Sequence, residues 1–487
     1  MGNSTFSGPI ERVDEFCWRI PRSYKPTMRV DGLIFASEEL MAHIRGDQAP
    51  EQVANVATLP GIQQASLAMP DIHWGYGFSI GGVCATDPDQ GGVISPGGVG
   101  YDINCGVRLI RTRISEEDLA GRLTDLVEEL YASIPAGVGR GGPYRFSADE
   151  LRTLMAEGPR ALVDRGLATV EDVEMTEAGG RLEGADPDRV SQRALARGAN
   201  QCGTLGAGNH FLEVQVVDDI VDEFAAAAMG LQRGQVCVMI HSGSRGLGYQ
   251  VCDDALRDLR GVPEKYGIEL PDRQLACAPV LSPEGQAYVG AMRAAANYAW
   301  CNRQLLMWQA REAFARVLGT GWQDLGMELV YDVAHNIAKC EEHLIAGKPR
   351  QVWVHRKGAT RAFPSGHAEI PEKYRHVGQP VLIPGDMGRA SWVLVGQPGS
   401  MQRSFGTTCH GAGRRMSRTR AVKHAAGRRI DRELLRRGVV VRAHSRRGLA
   451  EEQPDAYKDV DQVVDVVAAA GLSGKVARMR PVGVIKG

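Results

Sequence analysis

The chain has 487 residues, is 43% hydrophobic and 24% charged, and carries a net charge of −1. That is enough for one large core or a few domains, and it excludes a global field that gathers nucleic acid, so any basic surface must be local. No apolar run can span a bilayer, and ten cysteines without a spacing framework, with no secretory signal, predict a cytoplasmic protein with free thiols.

Glycine is frequent, 59 residues against an average usage of ~7%, which favours many functional turns. The first fifty residues read as a small αβ lead-in. The turn-rich stretch from Met69 to Phe78 carries Asp71 and His73. Two readings stay open there: side chains that satisfy loop backbone, or ligands. From Ile94 to Ile110, four glycines and a proline bracket Asp102 and Cys105 ahead of a strand-like run. A hard carboxylate and a soft thiolate three residues apart can reach one metal centre, and sulfur can bridge two ions. The pattern from Ser115 to Ile134 predicts a helix, with Ser115 as cap and Leu119, Leu123, Leu126 and Leu130 on one face. Pro135 stops it. The polar stretch 137–200 reads as a helical insertion or lid.

At 204–214 a glycine loop runs into an alternating strand. Side chains alternate faces along a strand, so Asn209 and Glu213 share one face and His210 takes the other. This suits Asn209 and Glu213 to a base or ribose and His210 to a metal. Apolar runs ending at His241 and His335 read as buried strands presenting side chains at their ends. A third run ends at His355 and opens into Arg356-Lys357-Gly358, which assigns His355 to RNA or phosphate contact. The longest helix signal starts at Ser282-Pro283 and stops at Leu318 before Gly319, roughly 54 Å of helix at the standard rise.

Downstream, the turn at Pro384-Gly385-Asp386-Met387-Gly388-Arg389 precedes a strand from Ser391. Next comes Thr408-Cys409-His410-Gly411-Ala412-Gly413-Arg414. The glycines let backbone approach a ligand, and the arginines add phosphate donors. His410 is thereby a candidate nucleophile toward a nucleotide phosphorus; a plain glycine-rich turn fits the stretch equally well taken alone. From Arg414 to Arg447 there are thirteen Lys or Arg against two acids, which predicts a track for a nucleic-acid backbone. The apolar end Pro481–Gly487 is expected to dock, placing Lys486 in a site.

Together Gly-Tyr-Asp-Ile-Asn-Cys-Gly-Val-Arg, Gly-Asn-His-Phe-Leu-Glu and Thr-Cys-His-Gly-Ala-Gly-Arg resemble the RtcB family of RNA-splicing ligases. The matches run from Met69 to Lys486. The resemblance implies one α/β mixed (α+β) catalytic domain over 1–487, with central sheets and flanking helices. It implies a GTP-dependent centre with two Mn(II) ions that joins RNA 3′-phosphate or 2′,3′-cyclic phosphate ends to 5′-hydroxyl ends, in tRNA splicing or RNA repair. An archease-type activating protein is a further partner that it suggests, with no membrane involvement. By motif, Asp102, Cys105 and His210 would hold one ion, and Cys105, His241 and His335 the other. His410 would form the histidine–GMP intermediate. The guanylate site would draw on Asn209, His210, Phe211, Leu212 and Glu213, on His335 and Asn336, and on Pro384, Gly385, Asp386 and Met387. Ser391, then His410, Gly411, Ala412 and Gly413, then Tyr457 and Lys486 would complete it. Arg245, Arg414 and Arg418 are candidates for RNA phosphate contact. Asp386 departs from the expected serine, and a carboxylate there repels phosphate unless a metal or Arg389 compensates. Two other readings are a dinuclear metal phosphoesterase acting on RNA ends without guanylylation, and an RNA-end-binding protein with a vestigial site.

Overall fold

A computed structural model describes residues 5–487. Two large, mostly antiparallel sheets organise it. The first has seven strands. Its order is Glu11–Arg12, Cys17–Ile20, Asp31–Phe35, Ala65–His73, Ile80–Thr86, Lys348–Lys357 and Asn336–Ile345. The second has eight strands. It runs Glu328–Ala334, Gly106–Ser115, Gln235–Ser242, Phe211–Ile220, Ser473–Lys486, Ser391–Gly396 and Pro380–Ile383, with Val440–Ala443 beside Ser473–Lys486. The architecture is α+β. The chain passes from one sheet to the other at His335, which stands between Glu328–Ala334 and Asn336–Ile345.

The last strand is interior to its sheet. Ser473–Lys486 pairs with Ser391–Gly396 and with Phe211–Ile220, and its register sets Lys486 against Phe211. Backbone pairing on both edges holds this end where chain ends commonly fray.

The long helix is Pro283–Leu318, 36 residues. The Ser282 hydroxyl accepts from the Gly285 N–H, and Gly319 closes the helix at φ 72°. One side packs Leu306, Met307, Ala310 and Phe314 against Ile110, Leu212 and Val238 of the second sheet. Another packs Tyr298, Trp300 and Leu305 against Leu154, Leu195 and Leu247. A helix covered on most sides needs no polar stripe. The segment 137–200 folds as short helices, among them Ala148–Glu157 and Gln192–Gly198. It is stitched to the long helix: Asn297 Nδ2 donates to the Met155 carbonyl at 2.8 Å, and Tyr298 Oη to the Gly198 carbonyl at 2.9 Å.

The expected helix over 115–134 forms only in its second half. The strand Gly106–Ser115 runs on until Ser115 pairs with Gln235. A short 3₁₀ turn, Glu117–Leu119, follows, and the α-helix is Leu123–Ser133. Gly121, at φ 77°, breaks the helical path between them. Ladder pairing outcompetes local propensity here, and Ser115 caps only the short turn by bonding Asp118. His355 likewise lies inside a strand and not in a basic turn. It is fully buried, its Nδ1 facing the Cys84 carbonyl and its Nε2 accepting from the Ser95 N–H. Both ring nitrogens are engaged, so His355 is a core residue without access to RNA. Among the described residues, no helix is long and apolar enough to cross a membrane.

Asp172 ties the 137–200 segment to the long helix. Its carboxylate accepts from Arg311 at 2.7 and 2.8 Å and from Gln304 at 3.0 Å, all buried. Asp172→Ala strands the Arg311 guanidinium inside the protein and is expected to cost about 3–5 kcal/mol. A drop in the urea midpoint at constant m-value is the readout.

Candidate active site

Ligand-type side chains converge where the two sheets meet. Cys105 leaves the glycine loop just before strand Gly106–Ser115, His210 sits just ahead of Phe211–Ile220, and His241 lies near the end of Gln235–Ser242. These strands are neighbours in the second sheet. Cys105, His241 and His335 form one group with ligand atoms within 4.8 Å of one another, and Asp102, Cys105 and His210 form another. Cys105 Sγ is 3.4 Å from His210 Nε2 and 3.3 Å from His241 Nε2. His241 Nε2 lies 3.2 Å from His335 Nε2, and Asp102 Oδ2 lies 2.8 Å from His210 Nε2.

A protonated imidazole or a metal ion would satisfy this arrangement. His210 Nδ1 faces the Leu205 carbonyl at 3.0 Å, so it carries the proton. Its Nε2 then turns toward the Asp102 carboxylate and the Cys105 sulfur. A lone pair facing an anion needs a proton or a metal between them. Burial first, then neighbouring positive charge, holds the His241 and His335 imidazoles well below their usual pKa, so both keep a lone pair available to a cation. Burial, then the Asp102 charge, pushes the Cys105 thiol well up; thiolate requires a positive charge beside it. Imidazole, thiolate and carboxylate together suit a borderline transition ion.

One buried arginine braces this cluster. Arg303, on the long helix, spends the five N–H donors of a guanidinium on three ligand-bearing segments. Nη1 donates to the Asn104 carbonyl at 2.7 Å and the Ser242 carbonyl at 3.0 Å, and Nη2 to Asn104 Oδ1 at 3.0 Å. Nε and Nη2 grip both oxygens of Asp332 at 2.8 and 2.7 Å. Asn104 precedes Cys105, Ser242 follows His241, and Asp332 lies three residues before His335.

His410 faces the cluster, its ring centroid 4.9 Å from that of His335. Its Nδ1 is 2.5 Å from Asp71 Oδ2, and the N–H groups of His410 and Gly411 donate to the same oxygen at 2.9 and 3.3 Å. Burial pushes the Asp71 carboxyl up, but His410, by charge and hydrogen bonds, and the Lys458 charge outweigh it and leave it below its ordinary pKa. The carboxylate fixes the proton on Nδ1 and leaves the Nε2 lone pair free, the logic of an orienting acid behind a histidine. Gly413, at φ 72°, passes so close to this strand that a Cβ would stand 2.2 Å from the Asp71 carbonyl oxygen. Lys458 holds the strand from the other side, donating to the Pro70 and Ile72 carbonyls at 2.9 and 2.6 Å.

His410 and part of the cluster open on a cavity of about 260 Å³. Asn209, Phe211 and Glu213 form one part of its wall, and His335 and Asn336 another. The turn from Pro384 to Met387 and the loop from His410 to Arg414 face it, with Arg418, Tyr457 and Lys486. Four predicted residues do not line it. His210 stands in the ligand group with Asp102 and Cys105. Leu212 points into the hydrophobic core. Ser391 lies behind the turn, its hydroxyl accepting from Gln215 Nε2 at 3.0 Å and the Gly385 N–H at 3.3 Å. Arg245 bonds Thr204 Oγ1 at 3.1 Å beside the ligand group. Arg414 is anchored by Glu452 at 3.1 Å and the Tyr457 hydroxyl at 3.2 Å. Burial pushes the Glu213 carboxyl up to about 7, with Gln215 and Lys486 pulling it back.

Sequence reasoning missed Glu452, Lys458, Arg303 and Asp332, and left Asp71 undecided. The only local signal was the acid two residues before His73; the others meet the site from far along the chain.

A family model described as tRNA-splicing ligase RtcB matches residues 52–487. The chain belongs to the RtcB family. It is 54% identical to a protein named tRNA-splicing ligase RtcB from Thermococcus kodakarensis, over 98% of this chain and 99% of that one. To the protein of the same name from Archaeoglobus fulgidus it is 55% identical, over 99% of each. To the RNA-splicing ligase RtcB of Mycobacterium tuberculosis it is 54% identical, over 90% of this chain and 100% of the other.

The bracing role of Arg303 is testable through stability. Arg303→Lys cannot reach all the acceptors, and each buried group left unmet costs about 1–3 kcal/mol. Chemical denaturation is expected to show a loss of at least one such increment.

Proposed function

We propose that this RtcB-family chain is a GTP- and Mn(II)-dependent RNA ligase that joins RNA 3′-phosphate or 2′,3′-cyclic phosphate ends to 5′-hydroxyl ends through a His410–GMP intermediate. The observation that carries the reading is His410, oriented by Asp71, facing two ligand groups that share Cys105 across one cavity.

The chemistry follows from the side chains. His410 Nε2 attacks the α-phosphorus of GTP; a P–N bond forms and pyrophosphate leaves with the electron pair of the broken P–O bond. The Nδ1 proton stays toward Asp71 throughout and stabilises the positive ring. The RNA 3′-phosphate then takes the GMP, releasing His410, and the 5′-hydroxyl displaces GMP to form the phosphodiester. A cyclic phosphate end is first opened by water to the 3′-phosphate. Mn(II) held by Asp102, Cys105 and His210, and by Cys105, His241 and His335, would neutralise phosphate charge during these displacements. Glu213 and Asn209 line the cavity where a guanine base or ribose would be read.

The basic run supports an RNA backbone path. Some of its arginines are spent on local acids, such as Arg428 on Glu433 and Arg429 on Asp431. Arg418 lines the cavity with its side chain 60% exposed.

Incubation with α-labelled GTP and Mn(II), then denaturing electrophoresis, tests the intermediate. Acid-labile, alkali-stable label is expected on the wild type and none on His410→Ala; an unlabelled wild type that binds GTP and metal overturns the reading. Opening of a cyclic phosphate that survives in His410→Ala without any wild-type labelling would mark a phosphoesterase instead. Asp71→Ala is expected to slow labelling by at least about a hundredfold. Because the Cys105 sulfur belongs to both groups, Cys105→Ala is expected to lose two Mn(II) equivalents and His210→Ala one, counted by metal analysis after gel filtration.

A further inference from the structure

The cavity rim on the Asp102 side carries a band of aromatic rings. Trp74 is 49% exposed and Tyr249 47% exposed, so both rings stand about half open to solvent. Tyr76 meets Tyr101 edge-on with centroids 5.5 Å apart, and Tyr101 stacks on Tyr249 at 4.8 Å and 26°. The Arg197 guanidinium lies 5.2 Å from the Tyr249 centroid. Two of the rings are next in sequence to residues that line the cavity: Trp74 follows His73, and Tyr101 precedes Asp102.

The loop bearing Trp74 and Tyr76 is held from beneath. Gln52 bonds Gly75 in both directions, at 2.7 and 3.0 Å, and the Gly77 N–H donates to Gln274 Oε1 at 2.9 Å. The buried Lys357 ammonium donates to the Tyr76 carbonyl and, at 3.1 Å, to the Phe78 carbonyl. So the backbone is fixed while Trp74 stays half open to water. A lone exposed ring is ordinary on a protein surface; what sets this one apart is its fixed backbone next to His73, which lines the cavity.

We propose that Trp74, Tyr76, Tyr101 and Tyr249 form a stacking platform for the unpaired nucleobases of an RNA end entering the cavity. The proposal rests on the RNA-ligase reading for the identity of the strand. Aromatic rings accept any base face, whereas duplex bases are already stacked and cannot use them. Arg197 at this band and Arg418 at the cavity supply the positive charge that a nucleic acid needs and an acidic-residue-poor protein partner would not.

Fluorescence anisotropy on the purified full-length protein provides the test, with two single-stranded RNA probes, one ending in a 3′-phosphate and one beginning with a 5′-hydroxyl. Trp74→Ala and Tyr249→Ala are each expected to weaken at least one probe about 5- to 150-fold, the range of a lost base–aromatic stack, with the thermal midpoint unchanged. Trp74→Phe is expected to stay within about threefold of wild type, because the ring remains. The probe that weakens identifies the strand seated on the platform. Wild-type affinity for both probes in both alanine variants overturns the proposal, and so does equal weakening by Trp74→Phe and Trp74→Ala. Binding is read without GTP, so an absence of His410 labelling would overturn guanylylation and leave this result standing.

Discussion

The site depends on the Arg303–Asp332 pair. Two charges with no solvent exposure are expensive to bury, and they are tolerated only when every donor and acceptor is met. Here they are. Asp332 accepts from Arg303, from Arg108 Nε at 2.8 Å and from Trp300 Nε1 at 3.1 Å, while Arg303 reaches Asn104 and Ser242. Moving any one of these segments would leave buried polar groups unmet. The pair therefore converts a packing requirement of the long helix into positional accuracy for Cys105, His241 and His335, which a soft apolar core would not supply.

The second constraint is the meeting of the two sheets. Asp71 belongs to strand Ala65–His73 of the first sheet, while His241 and Lys486 belong to strands of the second. His335 alone separates strand Glu328–Ala334 of the second sheet from strand Asn336–Ile345 of the first. The His410 loop closes across this seam through the Asp71 carboxylate and the near-contact at Gly413. Neither sheet alone contains the site, so the orientation of His410 depends on the docking of one sheet against the other.

Much of this was legible in the sequence, for local reasons. His241 and His335 ended apolar runs, the Asp102–Cys105 loop was bracketed by glycines, and the capped helix announced both of its ends. What was not legible came from pairings between distant positions. Asp71 and His410 are 339 residues apart, and Arg303 and Asn104 are 199 apart; no window of the sequence contains either pair. His355 misled because Arg356 and Lys357 read as solvated charge. Arg356 is in fact buried against Glu341 at 2.6 and 2.7 Å, and the strand goes inside with it. The helix expected at 115 misled because Ser115 and the acids after it cap equally well a turn that never becomes an α-helix.

Asp386 shows how side-chain geometry changes an electrostatic argument. A lone carboxylate at this cavity would repel a phosphate by Coulomb's law. The structure turns it back into its own loop, where Oδ1 accepts from the Gly388 N–H at 3.0 Å and Oδ2 pairs with Arg389 at 3.1 Å. Burial pushes its pKa up to about 6, with Arg389 opposing. The residue thus meets the cavity as half of a neutral pair. Removing Arg389 alone would restore the repulsion, whereas removing Asp386 alone would leave an added positive charge. The turn tolerates an acid where a serine was expected because its compensating arginine stands three residues away.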